Sequence, residues 1–306
     1  MKILVLGGNG FIGSHLIDCL VKHGHRVRVF DVSHERFRKP NEKIDYRIAD
    51  LNDNNALYEA MLDIEVVFHL ASASVPSSSN IDVKMNITKN VFPTISILEN
   101  MTRIGIKRLV YLSSGGAVYG NKDEAIIKED EALNPISPYG INKVTIENYI
   151  NLYSNLHSLD ALIIRPSNPY GPRQGHFVAQ GVISTFLRKA KLSEPFQIFG
   201  NGSNKKDYIF ITDLIDCMYS LFTSSASGVF NIGSQEGTSI NEIIDYVNDV
   251  TGIINETSYI AVKEYDVKDF ILNTEKLESI IGQLNKKSIK EGISLTWDWI
   301  NENVKQ

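Results

Sequence analysis

Tyr139 and Lys143 stand four residues apart in the stretch SPYGINKVTIENYI. A proline turn opens this stretch and a helical pattern continues it, so the two side chains share one helix face within a turn of each other. An ammonium beside a phenol favours the phenolate, which makes Tyr139 a candidate general acid/base. A free tyrosine titrates near pH ~10, so a base poised at pH ~7 needs a shift of about 3 units, roughly 4 kcal/mol of differential stabilisation. A lysine charge ~5 Å away at an effective dielectric near 20 contributes only about 3 kcal/mol before desolvation opposes it. Lys143 alone falls short, and a neighbouring hydroxyl is wanted. The stretch YLSSGGAVYG, residues 111 to 120, offers Ser113 and Ser114 just past an apolar run that reads as a buried strand. Gly115 and Gly116 follow, with no carboxylate beside the hydroxyls; flexible glycines here would let the strand end swing Ser114 toward Tyr139. Among the 13 tyrosines the same spacing recurs at Tyr259 and Lys263. That second copy lies in TSYIAVKEY, which reads as extended, so its side chains would not share a helical face.

The elements that must carry these groups are legible as short apolar runs alternating with amphipathic patterns: KILVLG, FIGSHLIDCLVKHG, RVRVFD, EVVFHLA, RLVYLSS, then the Tyr139 helix and ALIIRP. Near-continuous apolar strands separated by amphipathic helices imply an α/β chain, a doubly wound parallel sheet covered on both faces. VLGGNGFIG sets Gly7, Gly10 and Gly13 after the first strand and at the start of a helix. The first glycine allows a tight turn, the second lets a pyrophosphate approach the backbone, and the third permits close helix-to-strand packing. The next strand ends in Asp31, about twenty residues on, where a carboxylate accepts hydrogen bonds from an adenosine ribose and repels a 2′-phosphate. NAD is therefore expected over NADP, with Arg36 and Arg38 read as solvated loop residues. Oxidised nicotinamide would add positive charge near Tyr139.

After Pro166 the chain turns to Pro/Gly/Asn-rich stretches, RPSNPYGPRQG and FGNGSNKKDY, around one helical segment. The expected organisation is a dinucleotide-binding domain over 1–165, with a later contribution from about 207–232, and a smaller mixed α/β region over 166–306 that meets the substrate. A composition 43% hydrophobic and 22% charged is that of a soluble globular chain. The net charge of −5, with lysines scattered rather than striped, argues against a nucleic-acid groove or a membrane face. The N-terminus has only a short apolar run before its glycines, so a cytoplasmic protein is expected. Cys19 and Cys217 lie far apart outside any Cys/His cluster, and read as small apolar residues rather than a disulfide or a metal site.

Taken in order, GGNGFIG, Asp31, AD at 49–50, FHLA at 68–71, Asn86, SSGGAVYG, YGINK, RPSNPYGP and KDYIFITDL resemble the extended short-chain dehydrogenase/reductase family, particularly its nucleotide-sugar epimerases. The resemblance implies a Rossmann sheet and NAD held by Gly7, Gly10, Phe11, Ile12, Gly13 and Asp31. It adds Asp50 and Leu51 near the adenine, and Leu70, Ala71, Ala73, Asn86 and Ser113 along the cofactor cleft with Tyr139 and Lys143. It further implies that Asn168, Gln197, Phe199, Lys206 and Lys263 meet a nucleotide-diphosphate sugar, and that the protein is a homodimer. Lys206 and Lys263 stand where the family commonly presents arginine; lysine keeps the charge but loses the bidentate fork. Gly115 stands where the family usually has a catalytic Ser or Thr, leaving Ser114 as the nearest substitute.

Dehydratases and decarboxylases of this family place a carboxylate shortly after the catalytic hydroxyl; glycines here disfavour elimination. Epimerase-reductases that invert carbons beside the ketone use Cys and His, and neither cysteine lies near these motifs. The expectation is an NAD-dependent epimerase inverting C4 of an NDP-hexose of the UDP-glucose/galactose type through a 4-keto sugar. The alternative is a dTDP-4-keto-6-deoxy-sugar 4-reductase. A non-catalytic NAD-sensing protein would have no reason to keep Tyr139 and Lys143 on one face.

Overall fold

The computed structural model describes residues 1–39, 41–73, 82–122, 124, 126–175, 181–261 and 269–304. They form two compact units, one made of Met1–Gly120, Ala132–Arg165 and Ile215–Phe230, the other of Asn121–Glu131, Pro166–Leu214 and Asn231–Gln306.

The first unit begins with β1 (Lys2–Leu6), α1 (Phe11–Lys22), β2 (Arg26–Asp31), β3 (Ile44–Ile48), α2 (Asn54–Met61), β4 (Val66–His69), α3 (Val83–Ile104), β5 (Arg108–Leu112) and the short α4 (Gly115–Val118). After an excursion containing β6 (Ile126–Ile127), it continues with α5 (Pro138–His157) and β7 (Asp160–Pro166). The strands form a seven-stranded sheet in the order β11-β7-β5-β4-β1-β2-β3, where β11 is Gly228–Ile232. From β7 to β3 neighbouring strands pair in parallel, with Ile3 opposite both Val27 and Val66. Strand β4 is buried at every position and β1 and β5 at all but their first, as strands covered on both faces must be. The chain winds outward from β1 to β3 and returns to β4, so the topology reverses at β1/β4, where the carboxyl ends of such sheets open a crevice.

Caps set the helix starts. Asp53 accepts from Ala56 N, Asp82 from Met85 N, and Ser137 from Gly140 N with Pro138 leading the helix. Gly115 and Gly116 are not a loose strand end: they open α4, with Ser114 as its N-cap and no left-handed backbone at either glycine. What brings α4 and α5 together is Gly140, where a Cβ would collide with the Ala117 carbonyl oxygen. A first helical turn can approach another backbone this closely only through glycine.

The second unit holds β8 (Asn168–Tyr170), α6 (Val182–Lys191), β9 (Phe196–Phe199), β10 (Lys205–Phe210), the start of α7 (Ile211–Thr223), β12 (Gly237–Ser239), α8 (Ile240–Thr251), β13 (Thr257–Ile260), β14 (Ile271–Leu272), α9 (Glu275–Ile281) and α10 (Ile289–Asn303). Its sheets are small: β12-β10-β8, β13-β9 and β14-β6. Phe186 stacks on Phe196 at 4.6 Å, in a core with the buried Ile243, Val247, Ile293 and Ile300. Lys191 Nζ donates to the Ile300, Asn301 and Val304 carbonyls, placing a cation at the negative end of α10. The second Tyr/Lys copy is indeed extended at Tyr259, on β13, while Lys263 lies outside the described residues.

Candidate active site

Helix α5 and the end of β5 carry the chemistry. The Ser114 hydroxyl hydrogen-bonds the Tyr139 phenol. Lys143 Nζ donates to the Leu112 carbonyl at 2.7 Å and lies 5.7 Å from the centre of the Tyr139 ring and 4.8 Å from that of Tyr111. A small cleft at this point is lined by Tyr139, Lys143, Asn142, Ile146, Ala71 and Asn86. Residues from four segments of the chain therefore converge beside the phenol.

The electrostatics differ from the simple lysine-beside-phenol picture. Burial pushes the Tyr139 phenol up to about 12, with the Ser114 hydrogen bond acting against it. Burial likewise pulls Lys143 down to about 8, opposed by the Glu147 carboxylate. Desolvation disfavours whichever form of a group is charged, so both drift toward neutrality here. Lys143 does not by itself make Tyr139 a base; another positive charge has to enter the site. His69 is held neutral, down to about 3, by burial and by the Lys143 charge, and it bonds Thr94 through Nε2 at 2.9 Å.

Ser113 and Ser114 have different partners. The Ser113 hydroxyl is buried and donates to Glu147 Oε1, so Ser114 is the serine facing Tyr139. Glu147 also receives Arg165 through Nη2 at 2.6 Å and Nε at 3.2 Å, and Arg165 Nη1 donates to Tyr119 Oη at 2.8 Å. Sequence reading missed this buried layer, although Glu147 stands four residues past Lys143 and Arg165 interrupts an apolar strand.

At the β1/α1 turn Gly7 takes φ +80°, and a Cβ there would fall 2.7 Å from Ala71 backbone atoms. A Cβ at Gly13 would strike the Gly7 carbonyl oxygen. Gly10 is the N-cap of α1, leaving a backbone cradle at a helix N-terminus, the environment a pyrophosphate needs. Phe11 and Ile12, half-buried, open that helix. The Asp31 carboxylate receives Asn9 N at 3.0 Å and Ser33 N at 2.9 Å; burial nevertheless pushes it up. Arg38 is not solvated as expected: its side chain, 12% exposed, pairs with Asp18 and Glu35 at 3.4 and 3.2 Å. Asp50 receives Asn52 N and Nδ2, each at 2.9 Å, which holds its carboxyl low; Leu51 packs on the core. Leu70 is half-buried at the end of β4, Ala73 N donates to Asn90 Oδ1, and Asn90 Nδ2 donates to Asn86 Oδ1.

In the second unit, Asn168 Nδ2 donates to the Asp207 carbonyl at 2.8 Å, beside Lys206 on β10. The Asp207 carboxylate is fully buried and receives Ser234 N, Ser234 Oγ and Leu272 N. Gln197 and Phe199 are exposed on the same face of β9. Both cysteines are free, Cys217 buried and Cys19 half-buried, with burial and Asp216 pushing the Cys19 thiol up to about 11. Among the described residues no His, Cys, Asp and Glu group could hold a metal, and no helix is long and apolar enough to cross a membrane.

A doubly wound sheet with a glycine turn at β1, an acid at the end of β2 and a Tyr/Lys face on α5 met by Ser114 from the end of β5 defines a dinucleotide-dependent enzyme acting on an alcohol or ketone. The chain belongs to the NAD dependent epimerase/dehydratase family, whose model matches residues 3–233. It is 33% identical over 304 residues to a UDP-glucose 4-epimerase of Mycolicibacterium smegmatis, covering 97% of each chain. It is 32% identical over 254 residues to a dTDP-4-dehydro-6-deoxyglucose reductase of Escherichia coli, covering 80% of each. A UDP-glucose 4-epimerase of Thermus thermophilus, solved in complex with NAD, matches with a TM-score of 0.93 and 27% identity, covering 99% of this chain and 100% of that one. The protein is thus an NAD-dependent enzyme of the extended short-chain dehydrogenase/reductase type.

Proposed function

We propose that the protein is a nucleotide-sugar 4-epimerase, inverting C4 of an NDP-hexose of the UDP-glucose/galactose type through a 4-keto sugar. The observation that carries this reading is the Ser114–Tyr139–Lys143 face with glycines, not a carboxylate, at 115 and 116. Tyr139 takes the C4 hydroxyl proton and returns it to the inverted alcohol; Ser114 steadies the phenolate, and Lys143 adds positive charge beneath it. Bound NAD supplies the hydride acceptor and donor and a positive charge beside the phenol. Its pyrophosphate would rest on the Gly7, Gly10 and Gly13 turn with Phe11 and Ile12, and its adenosine ribose on Asp31. Asp50 and Leu51 would lie by the adenine, and Leu70, Ala71, Ala73, Asn86 and the Ser113 backbone along the cleft. The first unit is then the cofactor domain. The second supplies Asn168, Gln197, Phe199, Lys206 and Lys263 to the nucleotide-diphosphate sugar.

A cytoplasmic homodimer belongs to the same reading; the exposed Phe92 of α3 and Leu152 and Leu156 of α5 support self-association through this unit. A second reading, reduction of a dTDP-4-keto-6-deoxy sugar, is supported by the E. coli relative. The test incubates the purified protein with UDP-glucose, UDP-GlcNAc and a dTDP-4-keto-6-deoxy sugar, with and without NADH, and identifies products by NMR. Interconversion without added NADH is the expected result. Stoichiometric NADH loss would establish the reductase instead.

A further inference from the structure

Directly beneath the Tyr139 face lies a layer that the proposed chemistry does not use. Tyr139, Lys143 and Glu147 form a stripe with a spacing of four on α5, so Glu147 is the inward continuation of the catalytic face. The Glu147 and Arg165 side chains are 2% and 5% exposed. A buried ion pair is poor grounds for stability, since an apolar pair of the same volume often serves as well; its retention here asks for another reason. Ser113 supplies one. Its main-chain N donates to the Ile164 carbonyl at 2.7 Å and its hydroxyl donates to Glu147, so the end of β5 is pinned by β7 on one side and α5 on the other. The next residue is Ser114, extended at φ −159°.

We propose that Glu147 is a positioning residue for this reaction: paired with Arg165, it clamps Ser113 so that Ser114 meets Tyr139, and it places a carboxylate on the helix face that carries Lys143. The inference rests on the epimerase reading. The groups facing Lys143 are Tyr139 and Glu147 from α5, Tyr111 from β5 and His69 from β4. Glu147 itself faces Arg165 from β7, with Ser113 and Tyr111. His69 is neutral and burial pushes the Tyr111 phenol well up, so neither supplies charge at working pH. Glu147 is the carboxylate that opposes loss of the Lys143 proton.

The experiment compares Glu147→Gln and Glu147→Asp with the parent enzyme and with Tyr139→Phe, measuring kcat, KM, the pH profile and the thermal midpoint with UDP-glucose. For E147Q, kcat should fall on the order of a hundredfold, as for a misplaced catalytic group, with KM within about twofold. The alkaline limb should also move about one unit toward lower pH, because Lys143 loses its proton more readily without the carboxylate. E147D keeps the charge but not the reach to Ser113, and should restore the alkaline limb while kcat stays low. Parent-like kcat and pH profile in E147Q, with only a lower thermal midpoint, would overturn the inference. Should E147Q not fold, E147D is decisive, since full kcat there contradicts the clamp. An active Y139F enzyme would instead mean that the epimerase reading has failed.

Discussion

The two units treat their candidate residues differently. In the first, Lys143, Ser113, Glu147 and Arg165 are all buried, and each is held by a hydrogen bond from another segment of the chain. In the second, Gln197 and Phe199 stand exposed on β9, and Asn168, half-buried, is held by another segment through the Asp207 carbonyl. The buried frame beneath is no looser, for Asp207 is as well satisfied as anything around Tyr139. The lesson is a division of labour. Under the proposed function, proton transfer tolerates little displacement and falls to groups locked by packing, whereas sugar recognition would fall to exposed side chains on β9.

The sharpest way to break that comparison is Tyr139→Phe. It should lower turnover by about 10²–10⁴-fold or more while the protein still retains NAD, checked by kinetics and by cofactor content. Comparable loss from a second-unit substitution would contradict the division. Ser114→Ala should come next, lowering kcat roughly ten- to hundredfold with little change in KM, as for a lost hydrogen bond to a charged group. Parent-like turnover would move the hydroxyl role to the substrate or water.

The pH profile sharpens the same contrast. Lys143 titrates at about 8 because burial disfavours its ammonium, so the charge is present below that pH and lost as pH rises through it. The alkaline limb of kcat/KM, which reports the free enzyme, should therefore fall near pH 8, and Lys143→Met should flatten it. On the other side of the comparison, Lys206→Ala should raise KM for UDP-glucose about tenfold and leave kcat nearly unchanged. Binding measured by calorimetry would check this, and unchanged affinity would remove Lys206 from the substrate site.

Local patterns were read well from sequence. The glycine turn, Asp31 at a strand end and Tyr139 with Lys143 on one helix face all follow from backbone periodicity within about twenty residues. Gly115 and Gly116 were read correctly as the absence of an acid but wrongly as flexible backbone, since α4 begins there. The freedom that mattered belongs to Gly140, whose close approach to Ala117 joins two segments no periodicity links. Arg38 departs from expectation partly for the same reason: beside the local Glu35, its partners Asp18 and the Ser14 carbonyl lie on α1, twenty or more residues earlier.

By itself, then, the sequence determined the doubly wound sheet, the glycine turn after β1 and the helix face shared by Tyr139 and Lys143, because hydrogen-bond ladders and side-chain periods are short-range properties of the chain. Only the tertiary structure decided which serine faces Tyr139, that Glu147 and Arg165 lie beneath it, and that the phenol sits near 12 rather than below its ordinary value. Those outcomes depend on desolvation and on partners brought from other strands, and both exist only once the segments have packed.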